Sequence, residues 1–172
     1  MTNDPEKLLD ETGWALLCAL QENARSSYAD LGRRVGLTPP AVADRIRRLE
    51  AAGIITGYHA TVNPAKLGLS LTAIIRFKGA NVTHERIMAV VEGCPEIIEC
   101  HDITGDDCMS LTVVVSSVSH LQAVIARLMP YGWPNTSIVL ASPLQHRAIS
   151  PAALPEGETG DIDEMRANLL AR

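Results

Sequence analysis

The stretch "LTPPAVADRIRRLEAAG", Leu37 to Gly53, decides how the chain is read: its apolar residues are spaced like a helix, yet two adjacent prolines stand at its front. Thr38 is an N-cap residue whose side-chain oxygen suits the orphan amides of a first turn. Pro39 then occupies the first helical position, where a missing N–H costs nothing, and the amide of Pro40 would lack an intrahelical partner as well. The prolines therefore start a helix and fix its direction. Beyond them Val42, Ile46 and Leu49 share one face, while Pro40, Ala41, Asp44, Arg47 and Arg48 point away from it and Arg45 lies at the edge. One side is expected to be core and the other to be presented.

Upstream, Leu9, Leu16, Leu17 and Leu20 fall on one face of a helix from about Asp10 to Glu22. A short helix comes next, from Tyr28 to Val35, with Leu31 and Val35 buried, Gly32 small enough for close approach by a neighbouring helix, and Gly36 able to take a positive φ at the helix end. Two helices joined by a tight "GLT" turn have the spacing of a helix-turn-helix, whose second helix enters the major groove of double-stranded DNA. The residue types suit that place. Thr38, Pro40 and Ala41 let the leading end approach base edges, and the arginines can pair with guanine or bind phosphate. The alternative is a surface helix with a solvated charged face. After Gly53, "GIITGYHATVN" has the β-branched and aromatic pattern of a strand or small wing beside the helices. "PAKLG", Pro64 to Gly68, then reads as a hinge.

The second block alternates. Leu69, Leu71, Ala73, Ile75 and Phe77 form a strand; Ile87, Val90 and Val91 mark a helix after Thr83; a short strand covers about Ile97 to Ile103. Met109, Leu111, Val113 and Val115 alternate again, Val118, Leu121, Val124, Ile125 and Leu128 make a helical stripe, and "NTSIVLA" supplies a last strand. The fold class is therefore α+β: a winged helix-turn-helix (residues 8–62), a hinge (63–68), and a ferredoxin-like βαββαβ unit (69–142) with helices on one face of an antiparallel sheet, followed by a tail (143–172). The other face of such a sheet needs a cover, and a second subunit is the simplest one.

Composition agrees with a globular protein: 47% of 172 residues are hydrophobic, and no apolar run approaches the roughly 20 residues of a membrane span. The polar start "MTNDPEKLLDE" does not resemble a secretory signal, so cytoplasmic residence, in association with the nucleoid, is expected. A net charge of −5 argues at first against nucleic acid, but the charge is segregated. Six arginines and two acids lie between Arg25 and Arg48, whereas the tail after Pro151 has five acids and two arginines. A local basic patch on an acidic protein suits a DNA-facing module and discourages promiscuous binding to phosphate.

From Leu9 to about Leu140 the chain resembles the Lrp/AsnC (feast/famine) transcriptional regulators. The first half carries the resemblance through Leu9-Asp10, Leu16-Leu17, Gln21 through Arg25, Leu31, Gly36-Leu37, Val42, Arg45-Ile46, Arg48-Leu49, Gly53, Ile55, Gly57-Tyr58, Pro64 and Leu67-Gly68; the second rests on Gly105-Asp106 and Thr136. The resemblance implies a DNA-binding homodimer, assembled further into tetramers or octamers, whose C-terminal domains bind an amino acid or related small molecule between subunits, with no other cofactor. It places DNA contacts on Thr38, Pro40, Ala41, Asp44, Arg45, Arg47 and Arg48, and the effector against His101, Asp102, Gly105, Asp106, Asp107, Cys108 and Thr136.

Two departures stand out. Where the family has Gly-Asp-Tyr-Asp, this sequence reads Gly105, Asp106, Asp107, Cys108, lacking the aromatic residue. A glycine there permits a close backbone turn and a carboxylate could receive an α-amino group, but the same residues suit a plain β-turn. Gly13 stands in the first helix where the family often has an acid, at a cost of about 1 kcal/mol against alanine. Cys94, Cys100, His101, Asp106, Asp107 and Cys108 are all types that ligate soft metals or sense oxidation, yet the spacing fits no ligand motif, and neighbours on a strand such as Cys100 and His101 face opposite sides. Small core filler is the simpler role for the cysteines, and His120 is expected at the surface. An enzyme has little support, with no GxSxG, phosphate loop or HExxH. A ligand-independent architectural DNA-binding protein remains as an alternative regulator class. In the tail, "SPLQHRAISPAALPEGETG" is expected to be extended, and "DIDEMRANLLAR" to form a short helix.

Overall fold

The computed structural model describes residues 5–79 and 83–154 and divides into two compact units, one made by the chain up to Ala60 together with the segment from Leu144, the other by Thr61–Pro143. The expected tail helix falls outside the described residues.

In the first unit a short α1 (Pro5–Leu8) leads into α2 (Glu11–Glu22), α3 (Tyr28–Val35) and α4 (Pro39–Ala51). Asp10 caps α2 by accepting a hydrogen bond from the Gly13 N–H at 2.8 Å, Ser27 caps α3 through Asp30 N–H, and Gly36 ends α3 in the left-handed region at φ 71°. Two small cores hold the helices. Leu16, Ala19, Leu20, Leu31, Val42 and Ile46 form one, and Leu8, Trp14, Leu17 and Leu49 the other. The sequence left Gly13 without a reason, and the structure supplies one: a Cβ there would lie 1.9 Å from the Leu8 carbonyl oxygen. At Gly32 the close approach comes from the turn before α4 rather than from a helix, since a Cβ would meet the Leu37 carbonyl oxygen at 2.4 Å.

The expected strand after Gly53 does not form. The Ile54 and Ile55 amides both turn back to the Leu49 carbonyl, at 3.0 and 3.2 Å, and the chain from Thr56 to Asn63 is exposed and irregular. A strand needs a ladder partner, and this unit has none among the described residues. Segment Leu144–Leu154 belongs to this unit: Gln21 Nε2 donates to the Ile149 carbonyl at 2.9 Å, the Ile149 N–H donates back to Oε1 at 2.8 Å, Pro151 is buried, and Leu154 packs against the Trp14 cluster.

In the second unit the reading "PAKLG" becomes a 3₁₀ turn, Pro64–Leu67, closed by Gly68 at φ 85°. Then come β1 (Leu71–Gly79), α5 (His84–Glu92), β2 (Ile97–Asp102), β3 (Met109–Val115), α6 (Val118–Leu128) and β4 (Gly132–Ile138), the last beginning three residues earlier than its pattern suggests. The sheet is antiparallel in the order β2-β3-β1-β4. Ala73, Ile75 and Phe77 of β1 and Met109, Leu111, Val113 and Val115 of β3 meet Ile87, Val91, Leu121, Val124 and Leu128 of the helices in one core. Val118, read as part of the α6 stripe, is exposed.

The other face is open: register places Ile74, Arg76 and Lys78 beside Ser137, Asn135 and Trp133. Trp133 is 67% exposed and Ile74 41%. His120, expected at the surface, is half-buried there, with its side chain 32% exposed. Its Nε2 bonds Glu96 Oε1 at 3.1 Å, its Nδ1 accepts from the Ser116 N–H, and Arg127 reaches the same Glu96 oxygen at 2.7 Å. Burial resists ionisation of Glu96, but its backbone N–H, His120 and Arg127 outweigh that and hold the carboxyl down at about 2.

Candidate nucleic-acid interface and effector loop

The second helix of the helix-turn-helix presents a face of small and charged residues. Thr38, Pro40, Asp44, Arg47 and Arg48 are exposed, Ala41 half-buried, while Val42, Ile46 and Leu49 fill the core beneath. Thr38 occupies the N-cap position in extended backbone, but its side chain makes no capping hydrogen bond, contrary to the sequence expectation. Pro40 at N2 removes one of the two amides that an N-cap oxygen can accept from, leaving only that of Ala41 at N3.

The six arginines from Arg25 to Arg48 separate by their partners. Arg33 pairs with Asp30, Arg34 with Glu22 at 2.9 Å, and Arg47 loosely with Asp44 at 3.6 Å. Among the described residues no ion pair engages Arg25 or Arg48. Exposed pairs of this kind are worth about 0–1 kcal/mol, so Asp44 holds Arg47 only weakly. Arg45 is different. Its side chain is only 20% exposed and folds back onto the Asp10 carboxylate, away from the presented face on whose edge the sequence put it. Beside α4, the Tyr58 hydroxyl donates to Glu50 at 2.8 Å, and partial desolvation of a side chain that stays 47% exposed, together with that carboxylate, pushes the phenol up to about 12.

In the second unit the loop after β2 is tied to the end of β1. The Ile103 N–H donates to the Cys108 carbonyl at 3.0 Å, the Cys108 N–H to the Phe77 carbonyl at 2.9 Å, and the Cys108 thiol lies 3.2 Å from the same carbonyl and 3.3 Å from the Gly79 N–H. Gly105 turns the loop at φ 118°, a conformation that L side chains rarely adopt. Asp107 is half-buried and held toward Arg76 at 3.8 Å, whereas Asp106 is exposed with no ion pair among the described residues.

The other expected effector residues do not join this loop in one cluster. His101 lies on the open face, in register with Ser110, while Asp102 faces the helix side near His84 at 3.8 Å. Thr136 sits on β4, the opposite outer strand, on the helix side with Ile75. All four cysteines are free; Cys94 is buried, its thiol pushed up by burial, but Cys108 is exposed and so is not core filler. Among the described residues no group of three or more histidine, cysteine or acidic side chains is placed to hold a metal, and no helix is long and apolar enough to cross a membrane.

Residues 9–56 match the winged helix-turn-helix DNA-binding family, and residues 72–149 match the Lrp/AsnC ligand binding domain. The chain is 37% identical over 140 residues to an uncharacterized HTH-type transcriptional regulator, YezC, of Bacillus subtilis, spanning 81% of this chain and 99% of that one. It belongs to the Lrp/AsnC family.

Like its relatives, this Lrp/AsnC chain is a transcriptional regulator and not an enzyme, with a DNA-binding and a ligand-binding domain. Its fold is that of the B. subtilis regulator LrpC, with a TM-score of 0.76 at 30% identity over 80% of this chain and 99% of the other. It has the same TM-score, 0.76, at 27% identity over 82% and 96%, to a transcriptional regulator of Neisseria meningitidis in complex with L-methionine. Sequence reasoning overlooked Asp10 as the partner of Arg45 and Arg76 as that of Asp107. Asp10 was visible as a cap signal before a helix; nothing in the sequence pointed to either ion pair.

Proposed function

We propose that this regulator reads double-stranded DNA as a homo-oligomer, at least a dimer and assembled further into a tetramer or octamer, and that an amino acid or related small molecule bound between subunits of its C-terminal unit changes that reading. The observation that carries the DNA half is the α4 face: Thr38, Pro40, Ala41, Asp44, Arg47 and Arg48 stand over a core that fixes the helix, with no ion pair engaging Arg48 among the described residues. Small residues at the leading end allow close approach to base edges, and arginines further along reach guanine or phosphate.

For the effector half, Asp106 offers an uncommitted carboxylate on a loop anchored to β1, suited to an α-ammonium group. The separation of Thr136 from the loop within one chain favours a cleft that two chains complete. The L-methionine complex of the N. meningitidis relative supports an amino acid as the ligand class.

A thermal shift screen of the full chain against the twenty amino acids tests this reading. One or more amino acids are expected to raise Tm, because a ligand that binds only the folded state stabilises it by mass action. Asp106→Ala is expected to abolish the shift and leave ligand-free DNA affinity unchanged. If no amino acid moves Tm while DNA is bound normally, the chain is a ligand-independent architectural protein. If Asp106→Ala weakens ligand-free DNA binding, the loop is structural.

A further inference from the structure

We propose that Arg45 is a positioning residue: through Asp10 it fixes the pose of the recognition helix α4 against the start of α2, and it does not itself touch DNA. The proposal rests on the reading of α4 as the recognition helix.

One carboxylate oxygen does two jobs here. Asp10 Oδ1 accepts the Gly13 N–H that caps α2, at 2.8 Å, and the same oxygen pairs with the Arg45 guanidinium. The segment it belongs to has no slack, since the Leu8 carbonyl closes on Gly13 so tightly that not even a methyl group fits. Leu8 and Leu49, both 0% exposed, pack in one cluster on the same side, so the start of α2 is a fixed anchor for α4. Arg45 lies four residues after Ala41 and three before Arg48, one helical turn from each. A shift of α4 at Arg45 therefore moves both ends of the presented face together.

The energetics favour a fixed pair over a DNA contact. Arg45 Nε and Nη2 are both shielded from solvent and make no hydrogen bond of good geometry among the described residues, so the Asp10 carboxylate acts on the guanidinium through its charge. Removing Asp10 would leave a poorly hydrated guanidinium uncompensated, and α4 would have to shift to wet it. To reach DNA, Arg45 would have to abandon that partner and emerge between the helices, whereas Arg48 is already exposed.

The test begins with a duplex selected by the full wild-type chain from a randomised pool. Binding to that duplex and to an unrelated one is then measured across salt concentrations for wild type, Asp10→Asn, Arg45→Gln and the double variant. Asparagine keeps a cap acceptor for Gly13 and removes only the charge. Each single change is expected to weaken the selected duplex about tenfold, the size of one misaligned base contact. The unrelated duplex should be held nearly as before, the slope of log K against log salt should not change, and the double variant should be no worse than the weaker single.

The proposal is overturned if Asp10→Asn binds like wild type, if the two changes add, or if Arg45→Gln lowers the salt slope by about one on both duplexes, as a lost phosphate contact does. Should Arg45→Gln not fold, Asp10→Asn decides alone. If wild type enriches no duplex, it is the assignment of α4 that fails, not the pair.

Discussion

The ionised form of Glu96 is held by its own backbone N–H and by His120 and Arg127, side chains 24 and 31 positions further along the chain. At Glu96 such contacts tie stability to pH. Its carboxyl sits at about 2 in the folded state, below the value near 4.5 that it takes when unfolded, so its contribution is fully present above pH 4.5 and is lost as pH falls toward 2. The side chain is 15% exposed, and the contribution is on the order of 2 kcal/mol. Glu96→Gln is therefore expected to lower urea stability by about that amount at pH 7. The gap to wild type should narrow steadily in titrations taken down to pH 3. A gap that is the same at pH 7 and pH 3 would assign the loss to packing rather than to charge. The left-handed Gly36 and the proline start of α4 are written in side-chain chemistry that acts within one turn, so the sequence displays them directly. Gly13, Arg45, His120 and Glu96 are governed by groups far along the chain or by close backbone contacts, which residue spacing does not encode.

Elements were legible where their periodicity was unambiguous. All four strands and both helices of the second unit appear close to where alternation and the helical stripe placed them, because each buries one face in a single core. The wing strand failed since β-branched composition states a preference, whereas a strand requires a neighbour. The segment after β4 was legible only as extended; what it packs against was not, because Gln21 and Ile149 are 128 positions apart. Its attachment rests on two exposed hydrogen bonds from one amide side chain, together with buried Pro151 and the packing of Leu154. Exposed bonds of this kind contribute roughly 0.5–1.5 kcal/mol each. Gln21→Ala is expected to speed hydrogen exchange at the Ile149 amide about tenfold while leaving the amides of α3 and α4 protected, which mass spectrometry of exchanged peptides resolves. Unchanged exchange at Ile149 would mean that the contacts from Pro151 onward hold the segment without Gln21.

At the scale of the whole molecule, the sheet has one face that the chain itself leaves bare. On it Ile74 lies beside Ser137 and Trp133 beside Lys78, with the Arg76–Asn135 pair between them, so apolar and polar groups are interspersed, as they are on protein interfaces. A large aromatic left 67% exposed on such a face is the residue type that dominates association energies. If this face joins two copies, the assembly carries two α4 helices, and a two-fold pair must span about 34 Å to enter successive major grooves on one side of a duplex. Trp133→Glu is then expected to halve the sedimenting mass at micromolar concentration without lowering helix content, and to weaken binding to a two-half-site duplex more than to a single half-site. Equal loss on both duplexes would mean the substitution damages the DNA-binding unit; an unchanged mass would place the subunit contact elsewhere on the chain. The half-site comparison matters most, because it alone connects a residue on the sheet to the reading of DNA by a helix in the other unit through nothing but the symmetry of the assembly.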